Sequence, residues 1–286
     1  MSSCPDSCVH DAPAGERRLV ITADDLGRDA AGTDTILSLW EDGAVTATSF
    51  IVVSPHAEAI AERLRADGRT PHLHITLSSE TVIAPWAPLS GGASLLDEHG
   101  TLPADPRRAE QRADPDEVRA ELDAQLAWMH DRGLHPRAAD SHASVLYGIH
   151  GGRLLETALH WCADHGLGFR MPRHLDPFPR SGAFPPEALA GHRTAVALAD
   201  ALGVPLPAAL LTNPLGAAEL GDPARLAELL IAQLPALPPG TSELVLHPSA
   251  DGPGVPAVRT WDAQLARDPR FRDALEQAGL RAVRAW

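Results

Sequence analysis

The sequence predicts an α/β protein in which a parallel sheet is covered by helices and closes as a barrel. Short β-branched apolar runs alternate with segments of helical periodicity, the joins between them are brief, and no linker or internal repeat interrupts the 286 residues. The first run, RLVITADD at 18–25, is a buried strand that ends in carboxylates. TDTILSLWEDG at 33–43 has apolar residues at helical spacing and stops at Gly43. VTATSFIVV (45–53) is the next strand and PHAEAIAERLRADG (55–68) the next helix, followed by the strand HLHITLS (72–78). PDEVRAELDAQLAWMHDRG (115–133) is the clearest helix, with Pro115 at its start and Gly133 after its end. RAADSHAS (137–144) is a strand end, LLETALHWCADHG (154–166) a helix, GFRMP (168–172) a strand, and SELVLHPS (242–249) a late apolar strand. DAQLARDPRFRDALEQAG (262–279) reads as a closing helix. Pro/Gly-rich stretches at 85–106, 172–192 and 203–223 read as long loops with room for short helices. Residues 1–17 are polar and turn-rich and are expected to be a disordered tail, which leaves 18–286 as one domain.

Composition removes several chemistries. All 24 basic residues are arginine, so a Schiff-base lysine and a Walker A loop are both impossible. The net charge of −14 repels phosphate backbones and argues against a nucleic-acid partner. With no apolar run near 18 residues and no apolar stretch behind the amino terminus, neither a membrane span nor a secretion signal is expected. Cys4, Cys8 and Cys162 make no disulfide framework, and a cytoplasmic location is the plain expectation. Cys4, Cys8 and His10 read as free side chains in the tail, because a closed zinc site needs a fourth ligand and a folded frame.

Titratable residues recur at the ends of apolar strands: Asp24–Asp25, His74, Asp140–His142 and His247. Strand ends are where barrels and open α/β sheets assemble their sites. Singly, the aspartates read equally well as a helix cap, and a lone strand histidine as a bonded core residue. Solvated charge would instead scatter over the helices, so the four coincidences point to a site. Asp, His and His are also the ligand types of a divalent cation with an open position, beside which a second carboxylate serves as base and a further His as acid. No G-x-S-x-G elbow, H-E-x-x-H motif or G-x-G-x-x-G fingerprint after a strand is present.

At these residues the chain resembles the YdjC/ChbG-like carbohydrate deacetylases, the family that includes the hopanoid-associated HpnK proteins. ITADDLG at 21–27 resembles its opening A-D-D-[FY]-G, and VTATSFIVV the strand that follows. HLHITLS resembles H-[LI]-x-L-[TS], and SLLDEHGTL (94–102) the S-L-L-D-x-x-G segment. ELDAQL leading to GLHPRAADSH resembles the helix before D-S-H, GLGFRMPR the R-[LM]-P strand, and SELVLHP the closing E-L-x-x-H-P. The resemblance covers nearly everything from Arg18 onward. It implies a distorted, TIM-like (β/α) barrel, one divalent cation (Mg or Zn), hydrolysis of N-acetyl groups on amino sugars, and a homodimer. Carried over by position, Asp25, His74 and His142 match the metal ligands, Asp24 the general base and His247 the proton donor. Arg170 and Ser144 would line the substrate pocket. Ser144 stands where the family commonly has a second His in D-S-H-x-H, Leu26 replaces an aromatic, Asp34 an Asn, and Ser249 a Gly. These departures leave the acyl group and the sugar open, and a non-sugar N-acyl amide or a non-catalytic sugar-binding relic are the alternative readings.

Overall fold

Every strand of the sheet is parallel to its neighbours, so each must be joined to the next by a crossover, and helices supply most of those crossovers. The computed structural model describes residues 15–151, 153–175, 184–252 and 254–286. Cys4, Cys8, His10 and most of the expected tail lie outside these residues. The chain runs β1 (Arg17–Leu26), α1 (Ala30–Glu41), β2 (Ala47–Phe50), α2 (Ala57–Ala66) and β3 (His72–Ile75). It continues through α3 (Pro106–Arg112), α4 (Pro115–His130), β4 (Ala138–Ser141), α5 (Leu154–His165), β5 (Gly168–Phe169) and α6 (Pro186–Leu202). β6 (Leu210–Thr212), α7 (Ala217–Leu220), α8 (Pro223–Ile231), β7 (Gly240–Leu246), α9 (Ala257–Arg267), α10 (Pro269–Gln277) and β8 (Leu280–Val283) complete it.

The sheet order is β5-β4-β3-β2-β1-β7-β6. β1 is long enough to share one edge, pairing with β8 through Arg17–Val20 and with β2 from Thr22 onward. The two outer strands are drawn together by backbone bonds: the N–H groups of Phe169, Arg173 and His174 donate to the carbonyls of Pro205, Pro207 and Ala208 at 2.9 Å each. Seven strands thus curl into the distorted barrel that the sequence predicts. Helices ring the outside, α4 against α5, α5 against α6, α8 against α9, and α9 back against α1. β1 is buried from Leu19 to its end, as a strand covered on both faces must be, and Phe50, Leu73, Trp161 and Phe169 fill the core around it.

Helix ends follow the expected chemistry. Asp29 caps α1 by accepting the Gly32 N–H at 2.7 Å, Asp114 caps α4 ahead of Pro115, and Gly166 ends α5 in the left-handed conformation. One expectation is corrected. The closing helix is two helices, because Pro269 lacks an N–H to continue α9, while Asp268 caps α10 by accepting from the Arg270 N–H. The loop read at 203–223 contains β6 and α7, and α6 begins inside the stretch read at 172–192.

Candidate metal and catalytic site

Adjacent aspartates on a regular strand point to opposite faces, so both can serve one cavity only if the strand is broken. β1 is broken there. Its register with β2 shifts between Ala23 and Leu26, and Asp25 sits at φ 72°, a left-handed conformation that non-glycine residues rarely adopt. Gly27 follows at φ 94°, where a Cβ would lie 3.1 Å from the Ile51 carbonyl oxygen. The bulge turns Asp25 toward the C-terminal ends of β3 and β4 and keeps Asp24 close to His74.

There Asp25 meets His74 and His142. Asp25 Oδ1 lies 3.2 Å from His74 Nε2 and 3.2 Å from His142 Nδ1, and the two nitrogens are 3.3 Å apart. All three residues are buried. A point equidistant from these corners is about 1.9 Å from each, close to the ~2.0–2.1 Å at which imidazole nitrogen and carboxylate oxygen meet a zinc-like cation. The donor set therefore fits a divalent ion. Asp24, His74 and Asp140 also cluster, but there the single guanidinium of Arg170 is already paired with both carboxylates.

His74 donates from Nδ1 to Asp140, which turns its Nε2 toward the triangle. Burial works against the imidazolium, but Asp140 and Asp24 outweigh it and raise His74 to about 10. For Asp25 burial likewise opposes the charge, and Arg259, whose Nη2 donates to Oδ2 at 2.7 Å, holds the carboxyl well below its usual range.

Asp24 lies on the other side of the bulge. It accepts from Ser49 Oγ at 2.7 Å and from both Nη atoms of Arg170 at 2.5 and 2.9 Å. Burial raises its pKa, yet Arg170, His74 and His247 bring it down to about 2. His247 Nε2 stands 4.0 Å from Asp24 Oδ2, and its side chain is 41% exposed, at the open end of the site. Asp262 fixes the strand end by accepting the His247 backbone N–H at 2.8 Å.

Two further residues, expected to line the pocket, sit in particular surroundings. Arg170 is buried, its guanidinium shared among Asp24, Asp140 and Glu243. Ser144 is not on an extended segment two residues beyond His142. The chain leaves β4 in a tight turn with Ala143 at φ 49° and Ser144 at φ 63°, so strand alternation does not set the direction of its side chain. His72 shares a strand with His74 but lies edge-on to Trp286, ring centroids 4.9 Å apart, outside the triangle. Glu243, Glu80, Arg28 and Arg259 were not read from the sequence. Glu243 alone left a signal, a carboxylate in the middle of the apolar run SELVLHPS.

Fold and site together define a parallel α/β barrel protein with a buried Asp-His-His cluster at its strand ends. The chain belongs to the YdjC-like protein family, whose profile matches residues 18–277. It is 35% identical over 133 residues to a human carbohydrate deacetylase, a match covering 45% of this chain and 41% of that one. It is 31% identical over 160 residues to a carbohydrate deacetylase of Enterococcus faecalis, covering 54% and 58%. The chain thus aligns with about half the length of these curated relatives. Its fold is similar to that of an Enterococcus faecalis protein named for cellobiose-phosphate cleavage, with a TM-score of 0.72 at 23% identity over 94% of this chain and 97% of that one.

Proposed function

We propose that the protein is a metal-dependent hydrolase that removes an N-acetyl group from an amino-sugar substrate. The observation that carries this reading is the Asp25–His74–His142 triangle with a separate carboxylate, Asp24, and a half-exposed imidazole, His247, beside it. Relatives named carbohydrate deacetylase support the substrate class. Asp25, His74 and His142 would hold the divalent cation, Mg or Zn. A cation there supplies a Lewis acid that polarises the amide carbonyl and acidifies water toward a pKa of ~7.

The chain's own groups do the rest. Asp24 stays ionised because Arg170 pairs with it, and it takes the proton of the attacking water. His247, at the open end, gives a proton to the amide nitrogen, since an amine is too basic to depart as an anion. Acetate and a free amino sugar result. Arg170 acts beneath Asp24, setting its charge and aim. The test is acetate release from N-acetylated mono- and oligosaccharides and from non-sugar N-acyl amines, with metal content measured on the same protein. Release from the sugars that is abolished by a chelator and restored by the ion supports the reading. Turnover confined to non-sugar amides, or none with any substrate by a metal-replete protein, ends it.

A further inference from the structure

Each residue of the Asp-His-His cluster is backed by a buried or half-buried arginine. Arg259 grips Asp25 directly, with Nη2 on Oδ2 at 2.7 Å. Arg170 reaches His74 through Asp140: its Nη2 lies 3.0 Å from Asp140 Oδ2, and Asp140 Oδ1 accepts from His74 Nδ1. For His142 the third such line runs through Glu80. Arg28, only 5% exposed, forks onto Glu80, its Nε donating to Oε1 at 2.7 Å and its Nη2 to Oε2. Arg28 is fixed in turn by Asp29, the cap of α1. Glu80 Oε1 lies 3.6 Å from His142 Nε2, a buried nitrogen that makes no hydrogen bond among the described residues. The opposite nitrogen, Nδ1, is the one in the triangle. Trp86 packs against the same ring, centroids 5.5 Å apart, and supplies an apolar wall.

We propose that Glu80 is a positioning residue for His142: it accepts the Nε2–H, so that Nδ1 carries the lone pair aimed between Asp25 and His74. The inference rests on the metal-site reading above. A ligating histidine characteristically donates its second N–H to a carboxylate or carbonyl, which sets tautomer and ring angle. His74 does this through Nδ1 and His142 through Nε2, so the two rings present opposite nitrogens to one point. The present 3.6 Å closes to a hydrogen bond of ~2.8–3.0 Å with a small shift of the ring or of the carboxylate. The Arg28 fork holds Glu80 in register for that shift, and it ties the loop after β3 to the start of α1.

The test uses the full chain with Co2+ as probe. Its dissociation constant is measured by chelator competition, and the His142 tautomer by 15N NMR of histidine-labelled protein. Glu80→Ala is expected to weaken Co2+ binding by roughly 10–100-fold and to lose the Nε2–H tautomer at His142. Glu80→Gln keeps an acceptor but loses the charge Arg28 grips, and a loss of roughly three- to tenfold is expected with the tautomer retained. If Glu80→Ala does not fold, Glu80→Gln decides alone. A folded variant that binds Co2+ as tightly as the parent overturns the role of Glu80, and so does a parent in which Nδ1 carries the proton. A parent that takes up no Co2+ fails at the earlier step and removes the metal site and this inference together.

Discussion

Asp24 and Asp25 are neighbours with the same side chain, yet their surroundings differ. Asp25, at φ 72°, turns one oxygen to two imidazoles and the other to Arg259. Asp24 has both oxygens bonded to Arg170 and faces His247. Asp24→Asn keeps the shape and the Ser49 bond, and Arg170 retains Asp140 and Glu243 as partners. The variant is therefore expected to keep its metal and to lose about 10²–10⁴-fold in turnover, the usual worth of a positioned base. Asp25→Asn is expected instead to lose metal, with part of the rate returning as the ion is added in excess. Metal analysis and initial rates on both variants check the division. A folded, metal-replete Asp24→Asn enzyme with near-parent turnover would leave Asp24 as the ion-pair partner of Arg170 and nothing more.

At the scale of elements, β1, β5 and β7 are tied across the barrel by one guanidinium. Arg170, just past β5, reaches Asp24 at the end of β1 and Glu243 in β7, whose Oε1 also accepts from Thr22 Oγ1 at 2.6 Å. Burial is the largest influence on Glu243 and raises it from 4.5 to about 7 despite Arg170. Such an acid binds its proton more tightly when folded. Its contribution to stability is complete below pH 4.5 and is lost as pH rises through about 7, a change of up to about 3 kcal/mol. Glu243→Gln removes the titration while keeping an acceptor for Thr22 and Arg170. The difference in unfolding free energy, variant minus parent, is expected to climb between pH 4.5 and 7.5 in denaturant titrations, and a flat difference would contradict the buried acid. The strands that carry these residues were legible because apolar β-branched runs bounded by Gly and Pro leave few other readings, and the Asp24–Asp25, His74, His142 and His247 ends were legible with them. α6, β6, α8 and β8 were not read: the Ala- and Pro-rich sequence of α6 and β6 has little contrast, whereas α8 did carry a helical signal, with Leu226 and Leu230 buried one turn apart. Glu80, Arg28 and Arg259 were hidden for another reason. They meet the site from residues 28, 80 and 259, so only the closed barrel brings them together. A charge in a loop, or on a helix as Arg259 is, carries no mark of its eventual partner.

Over the whole molecule, an acidic chain gathers an unusual density of buried charge at one end of its sheet. Asp24, Asp25, Asp140 and Glu243 are each buried there, with Arg170 inside the cluster and Arg28 and Arg259 at its margins. Three carboxylates share Arg170, and burying charge without full compensation costs stability. On the proposed reading, the same strand ends surround the Asp25–His74–His142 point, where a cation would add positive charge. A divalent ion bound only by the folded chain must then stabilise it by mass action, by about 2.7 kcal/mol at a hundredfold excess over its dissociation constant. For a domain of this size that corresponds to a rise in melting temperature of roughly 5–10 °C. Zn2+ or Mg2+ titrated into chelator-treated protein during thermal unfolding checks the expectation. The shift is expected to persist in Asp24→Asn, whose triangle is whole, and to shrink in Asp25→Asn and in His142→Ala. An equal shift in all four proteins would place the ion elsewhere on the acidic surface, and the buried carboxylates would then have to be accounted for by their arginines alone.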